Sequence, residues 1–106
     1  MQTLLILCNL PDRSSAEQLA QTLIERQHAA CVNIQPPVTS VYRWEGRIET
    51  ASEIPLLIKT CEDRYYDVEA SIRELHPYQM PEIIAMPIAK GLPAYLDWVV
   101  AETRHR

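Results

Sequence analysis

Residues 38–61 read VTSVYRWEGRIETASEIPLLIKTC, and their reading decides the fold. Val38 to Trp44 is β-branched and aromatic, Glu45-Gly46 is a two-residue turn, and Arg47 to Cys61 runs back. On the near side, Val32 and Ile34 alternate with Asn33 and Gln35 before Pro36-Pro37 interrupts the strand. The result is a hairpin with arms of about 12–15 residues, against a usual ~5–6. At ~3.4 Å per residue its tip extends ~20 Å or more beyond the other strands. Pro55 in the return arm lacks a ladder donor, so an edge or a bulge is expected there.

On the N-terminal side, residues 3–8 form an apolar run that suits a covered central strand. Asn9 to Asp12 turns the chain, and Ser14 followed by Glu17 matches a capping box. Ala16, Leu19, Ala20, Leu23 and Ile24 then form one helical stripe. Arg26 and His28 lie near its end, where positive charge suits the helix dipole. On the C-terminal side, residues 63–75 read as a helix with Tyr65, Val68, Ile72 and Leu75 on one face, stopped by Pro77. Glu82 to Ile88 reads as a strand, and Gly91 and Pro93 open a last helix carrying Leu92, Tyr95, Leu96, Val99 and Thr103 on one side. The order is βαββαβ plus a helix: a ferredoxin-like α+β sandwich with a long hairpin between its second and third strands. Residues 1–106 form a single domain.

A hairpin this long on a small domain leaves unpaired edges that self-association satisfies, and a closed ring of like subunits does so without open-ended growth. The net charge of −4, with scattered Lys and Arg, does not suit a phosphate backbone, so nucleic acid is not expected as a partner. RNA recognition on this fold needs exposed aromatics on the central strands, and the first and fourth strands have none. No apolar run is long enough to span a membrane, and Leu4 to Cys8 is too short for a signal core. A cytoplasmic location follows as the expectation. Three cysteines at 8, 31 and 61 form no close pair, which points to free thiols in a reducing compartment.

Cys8 ends the first strand. Its thiol is either a soft ligand for copper or zinc or a small buried hydrophobe. Cys31 and Cys61, among apolar neighbours, read as packing residues. His76 at a helix end is a metal ligand, an acid or base, or a cap on free carbonyls. Tyr42, Lys59, Tyr78 and Trp98 are candidates for one cleft with aromatic walls and a cation. Trp44 at the hairpin tip is placed to contact another subunit. Two glycines leave no phosphate-cradling loop, and no GxSxG surrounds Ser14 or Ser15, so an enzyme is not expected.

Several segments, in this order and spacing, resemble the CutA divalent-cation tolerance family. They are Leu7-Cys8 with Pro11-Asp12, Leu23 to Val32, Ser40 to Gly46, Ile58-Lys59-Thr60, His76-Pro77-Tyr78 with Pro81-Glu82, and Tyr95-Leu96 with Trp98. The resemblance implies a cytoplasmic homotrimer whose hairpins wrap neighbouring subunits, with copper or another divalent metal ion as its ligand. It places metal ligands at Cys8 and His76, while Leu75 stands where a further histidine occurs in copper-binding members. It also implies a likeness to the PII signalling trimers, which bind small effectors between subunits. The corresponding intersubunit cleft would hold Tyr42, Trp44, Lys59, Tyr78, Glu82 and Trp98 beside His76.

Overall fold

The long hairpin becomes β3 (Val38–Trp44) and β4 (Arg47–Cys61), with Trp44 directly opposite Arg47. Glu45 and Gly46 have φ of 50° and 79°. Positive φ at both central positions defines the turn whose twist matches that of paired strands. The remaining elements are β1 (Thr3–Leu10), α1 (Arg13–Glu25), β2 (Cys31–Ile34), a 3₁₀ turn (Glu62–Arg64), α2 (Tyr65–Leu75), β5 (Ile84–Pro87) and α3 (Pro93–Glu102). The computed structural model describes residues 1–104.

The sheet is antiparallel, in the order β2-β4-β1-β5, and β3 pairs with the outer half of β4. With β2 and β3 counted as one arm broken at Pro36-Pro37, this is the expected βαββαβ order with an added helix. β4 spans two environments. Residues 54–61 pair with β1, while residues 47–53 pair with β3 alone and project outward. The chain measures 44 × 26 × 22 Å, and its radius of gyration is 14.3 Å, above the ~13 Å of a compact domain of about this size.

Pro55 corrects the edge-or-bulge expectation. It sits in the unbroken central strand, paired with Asn9 of β1. Its carbonyl accepts a hydrogen bond from Gln35 N at 2.9 Å, so its ladder groups face the broken arm. A strand residue directs its N–H and C=O to the same side. The missing donor therefore falls beside Pro36-Pro37, where pairing is already interrupted, and the β1 ladder loses nothing.

One face of the sheet is closed by α1 and α2. Leu4, Ile6, Cys8 and Leu10 of β1 and Ile54, Leu56 and Ile58 of β4 meet Leu19, Leu23, Val68 and Ile72 there. Alternate residues of the same strands, Leu5, Leu7 and Leu57, remain half-buried on the other face. Ile84 and Met86 lie opposite Leu7 and Leu5 and share that face. α3 covers only one end of it, where the Thr103 hydroxyl donates to Cys61 Sγ at 3.1 Å. Val99 and Thr103 are buried as expected of the last helix, but Leu92 precedes the helix as its N-cap and is exposed, and Tyr95 is exposed while hydrogen-bonding Cys31 of the edge strand β2.

Other boundaries shift locally. The α1 cap is Asp12, whose Oδ1 accepts from Ser15 N at 2.8 Å, so the Ser14–Glu17 box does not form the cap. Ile24 is exposed and outside the buried stripe. Gln27, at φ 58°, ends α1 by sending its N–H to Ile24 O while His28 N–H reaches Leu23 O. Arg26 pairs with Glu74 of α2 instead of only facing the dipole. The helix expected from 63 begins as the 3₁₀ turn, and the strand expected from Glu82 to Ile88 contracts to β5.

Candidate functional site

Four residues from three parts of the chain close a ring of hydrogen bonds at the root of the hairpin. Tyr78 N–H donates to His76 Nδ1 at 3.0 Å. A backbone N–H can only donate, so Nδ1 is the acceptor and Nε2 carries the proton. Nε2 then donates to Asn9 O at 2.6 Å. The Asn9 side-chain amide reaches Glu53 Oε1 at 3.5 Å, and the Tyr78 hydroxyl donates to Glu53 Oε2 at 3.1 Å. The His76 and Tyr78 rings lie 4.7 Å apart and tilted. The ring fixes residues 76–78 against β1 and β4, and with them the start of the loop leading to Glu82.

Glu53 stands out electrostatically. Its side chain is directed to the uncovered face of β4, yet Glu53 is only 8% exposed. Both of its hydrogen-bond donors, Asn9 and Tyr78, are neutral. None of the ion pairs among the described residues includes it. Its influence reaches its neighbours. Burial first, then the hydrogen bond and charge of Glu53, raise the Tyr78 hydroxyl above its ordinary value. Burial, then Glu82 and Glu53, push the Cys8 thiol up to about 12.

Beside this ring lies a cleft of about 690 Å³, between the hairpin and the loop that follows Tyr78. Tyr42, Trp44, Tyr78 and Glu82, all expected in one cleft, line it together with Glu53 and Met80. Lys59 and Trp98 do not. Lys59 is six positions along β4 from Glu53, roughly 20 Å at strand spacing, and its ammonium donates to Asn33 Oδ1. Trp98 belongs to α3 and packs beside Tyr95, with ring centroids 5.6 Å apart. The expected cation and the second Trp are therefore absent from the single-chain cleft, and a buried carboxylate takes the central place.

A family model described as the CutA1 divalent ion tolerance protein matches residues 4–102. The chain belongs to the CutA1 family. It is 42% identical to the divalent-cation tolerance protein CutA of Thermus thermophilus, over 92% of this chain and 95% of that one. It is 40% identical to the Mus musculus protein CutA over 84% of its length, and spans 50% of that longer protein. The crystal structure of CutA from Xylella fastidiosa superposes with a TM-score of 0.95 at 41% identity, covering 98% of this chain and 100% of that one.

CutA1-family membership raises the question of a divalent ion at Cys8 and His76. A metal bond needs a thiolate and an imidazole nitrogen with a free lone pair. Cys8 is fully buried in the apolar core, where an ion would have no path from solvent to its sulfur without displacing core side chains. His76 uses Nδ1 to accept from Tyr78 and Nε2 to donate to Asn9. Leu75 offers no donor. These two side chains do not fit a metal ion in this arrangement. His76 acts as a staple, the third role that sequence allowed in kind, though it fastens β1 instead of capping its own helix. Among the described residues, no three His, Cys, Asp or Glu side chains gather into a metal-holding group.

Glu53 and Asn9 are the site residues that sequence reasoning missed. The one local signal was a carboxylate directly before the apolar run Ile54 to Ile58, in phase with Leu57 instead of with the core. Its partners come from residues 44 and 25 positions away, which no local pattern encodes.

Proposed function

We propose that this CutA1-family chain serves divalent-cation tolerance as a non-enzymatic homotrimer that binds a small ligand in the cleft beside Glu53. The observation that carries this reading is the cleft itself. Its volume suits a small molecule, its walls are aromatic, and it converges on a buried carboxylate without a counter-ion. Trimer formation is supported by the half-covered sheet face and the projecting hairpin, whose Val41 and Ile48 are 67% and 71% exposed. No helix among the described residues is long and apolar enough to cross a membrane. We keep the cytoplasm as the proposed location, although an Arabidopsis thaliana relative is named a chloroplastic CutA.

A thermal-shift screen of the assembled protein against nucleotides, organic acids, amines and divalent salts tests the cleft. At least one class should raise the melting temperature, and Tyr42→Ala should weaken that shift. No shift from any class would overturn the reading. The competing reading, copper or another divalent ion held by Cys8 and His76, is supported by the family's name. It requires His76 to release Asn9 or Tyr78, so copper uptake lost equally in Cys8→Ser and His76→Ala would favour it.

A further inference from the structure

The charge of the cleft selects its ligand. Glu53 is more than nine-tenths buried, satisfied by neutral donors, and unpaired with any cation among the described residues. Buried charges in proteins are normally paired with an opposite charge or bound to a metal ion. Glu82 adds a second acidic group to the same lining. The lining's one cationic side chain is Arg43, whose guanidinium instead points back to the turn, donating to Gly46 O at 3.5 Å. Lys59, the cation that would have suited an anionic effector, is bonded to Asn33 elsewhere on the sheet. The walls are Tyr42, Trp44 and Tyr78, whose ring faces attract cations. Two carboxylates in a cleft of about 690 Å³ offer a bare metal ion only part of its shell and leave the rest to water, and no third metal-binding side chain joins them among the described residues.

We propose that the cleft formed by Tyr42, Trp44, Glu53, Tyr78 and Glu82 binds a small organic cation, a protonated amine or guanidinium on a flat or apolar body. The cationic head meets Glu53 and Glu82, and the body lies against the aromatic walls. The inference rests on the cleft reading above and gives it a ligand class.

Calorimetry on the assembled protein tests it with three probes: agmatine, glutarate as an anion of similar reach, and manganese(II) alone. Agmatine should bind, glutarate should not, and manganese should bind more weakly than agmatine. Glu82→Gln, at an exposed position, should weaken agmatine about two- to fivefold. Glu53→Gln should weaken it further, and Tyr42→Ala should weaken it about two- to fivefold, the size of one exposed cation–π contact. Three results would overturn the ligand class: no agmatine binding, agmatine affinity unchanged in Glu82→Gln, or manganese binding more tightly than agmatine. Glutarate binding that is lost in Tyr42→Ala would also overturn it while leaving the cleft reading intact, so the two failures are distinguishable.

Discussion

The two faces of the β1–β4 pair are built from neighbouring residues and meet opposite fates. Ile6, Cys8, Leu56 and Ile58 have no exposed surface, while Leu5, Leu7 and Leu57, one residue away, remain half-covered. β-strands send successive side chains to opposite faces, so both faces had to be apolar for this pattern. A strand destined for solvent on one side would alternate with polar residues. The near-continuous runs Leu4 to Cys8 and Ile54 to Ile58 therefore describe a sheet meant to be covered twice. The chain's own helices supply one cover and α3 supplies part of the second. The comparison also locates Glu53, the one acidic side chain buried on the less-covered face of β4.

The comparison breaks most completely at Leu57. Leu57→Glu leaves the closed core untouched but puts a charge on the half-covered face. Light scattering should show the proposed trimer falling to a single chain, and a mass of three chains retained would remove that face from the interface. Ile58→Ala, one residue on, should instead cost about 2–5 kcal/mol of stability through lost burial and the cavity left behind. Denaturant titration at fixed protein concentration measures it, because mass action would otherwise mix the two effects.

The next effect is smaller and depends on pH. The Cys8 thiol is raised from about 9 to about 12, largely by burial. Between those values the folded chain keeps a proton that the unfolded chain releases. Stability is thus fully present below pH 9 and lost as pH rises toward 12, by at most about 1.4 kcal/mol per pH unit. Tyr65, Tyr78 and Tyr95 are also raised, so part of the alkaline loss is theirs. Cys8→Ala should flatten the curve by the thiol's share, and an unchanged slope would mean the thiol is not held protonated by the fold. Smallest is Asp12→Ala. It removes the α1 cap and should cost about 1 kcal/mol, whereas Ser14→Ala should cost markedly less; equal losses would return the cap to Ser14.

The strands, both central helices and the turn at Glu45-Gly46 were legible because each rests on local rules: a period of two, a period of 3.6, and a glycine where φ is positive. The αα-covered core was legible for the same reason. Pro55 was misplaced because a missing donor is harmless where the adjacent arm is itself broken, and that adjacency is tertiary. Leu92 and Tyr95 were read onto a buried stripe because periodicity shows neither that Leu92 stands before the helix as its N-cap nor that Tyr95 meets an edge strand, β2, which leaves much of its ring uncovered. In the site, Tyr42, Trp44, Tyr78 and Glu82 line one cleft of the single chain, while Lys59 and Trp98, grouped with them for a cleft between subunits, lie outside it. Strand spacing puts Lys59 a long way from Glu53 along β4, and the register of β4 against β2 sets it opposite Cys31, within reach of Asn33.

The tight turn at Glu45-Gly46 also sets a clock. Trp44 and Arg47 are paired directly across that turn, so pairing of β3 with β4 needs no contact from the rest of the chain. A local hairpin of this kind forms in about 1–10 μs. Thr3 and Cys61 must instead find each other across more than half the sequence, the slower kind of encounter. β4 is thus offered to β1 as an extended template, already straightened by its outer half. Gly46→Val, which opposes positive φ at the turn, should therefore lengthen the refolding time in stopped-flow fluorescence more than it shortens the lifetime of the folded state. That outcome would place the start of folding in the arm that reaches away from the core.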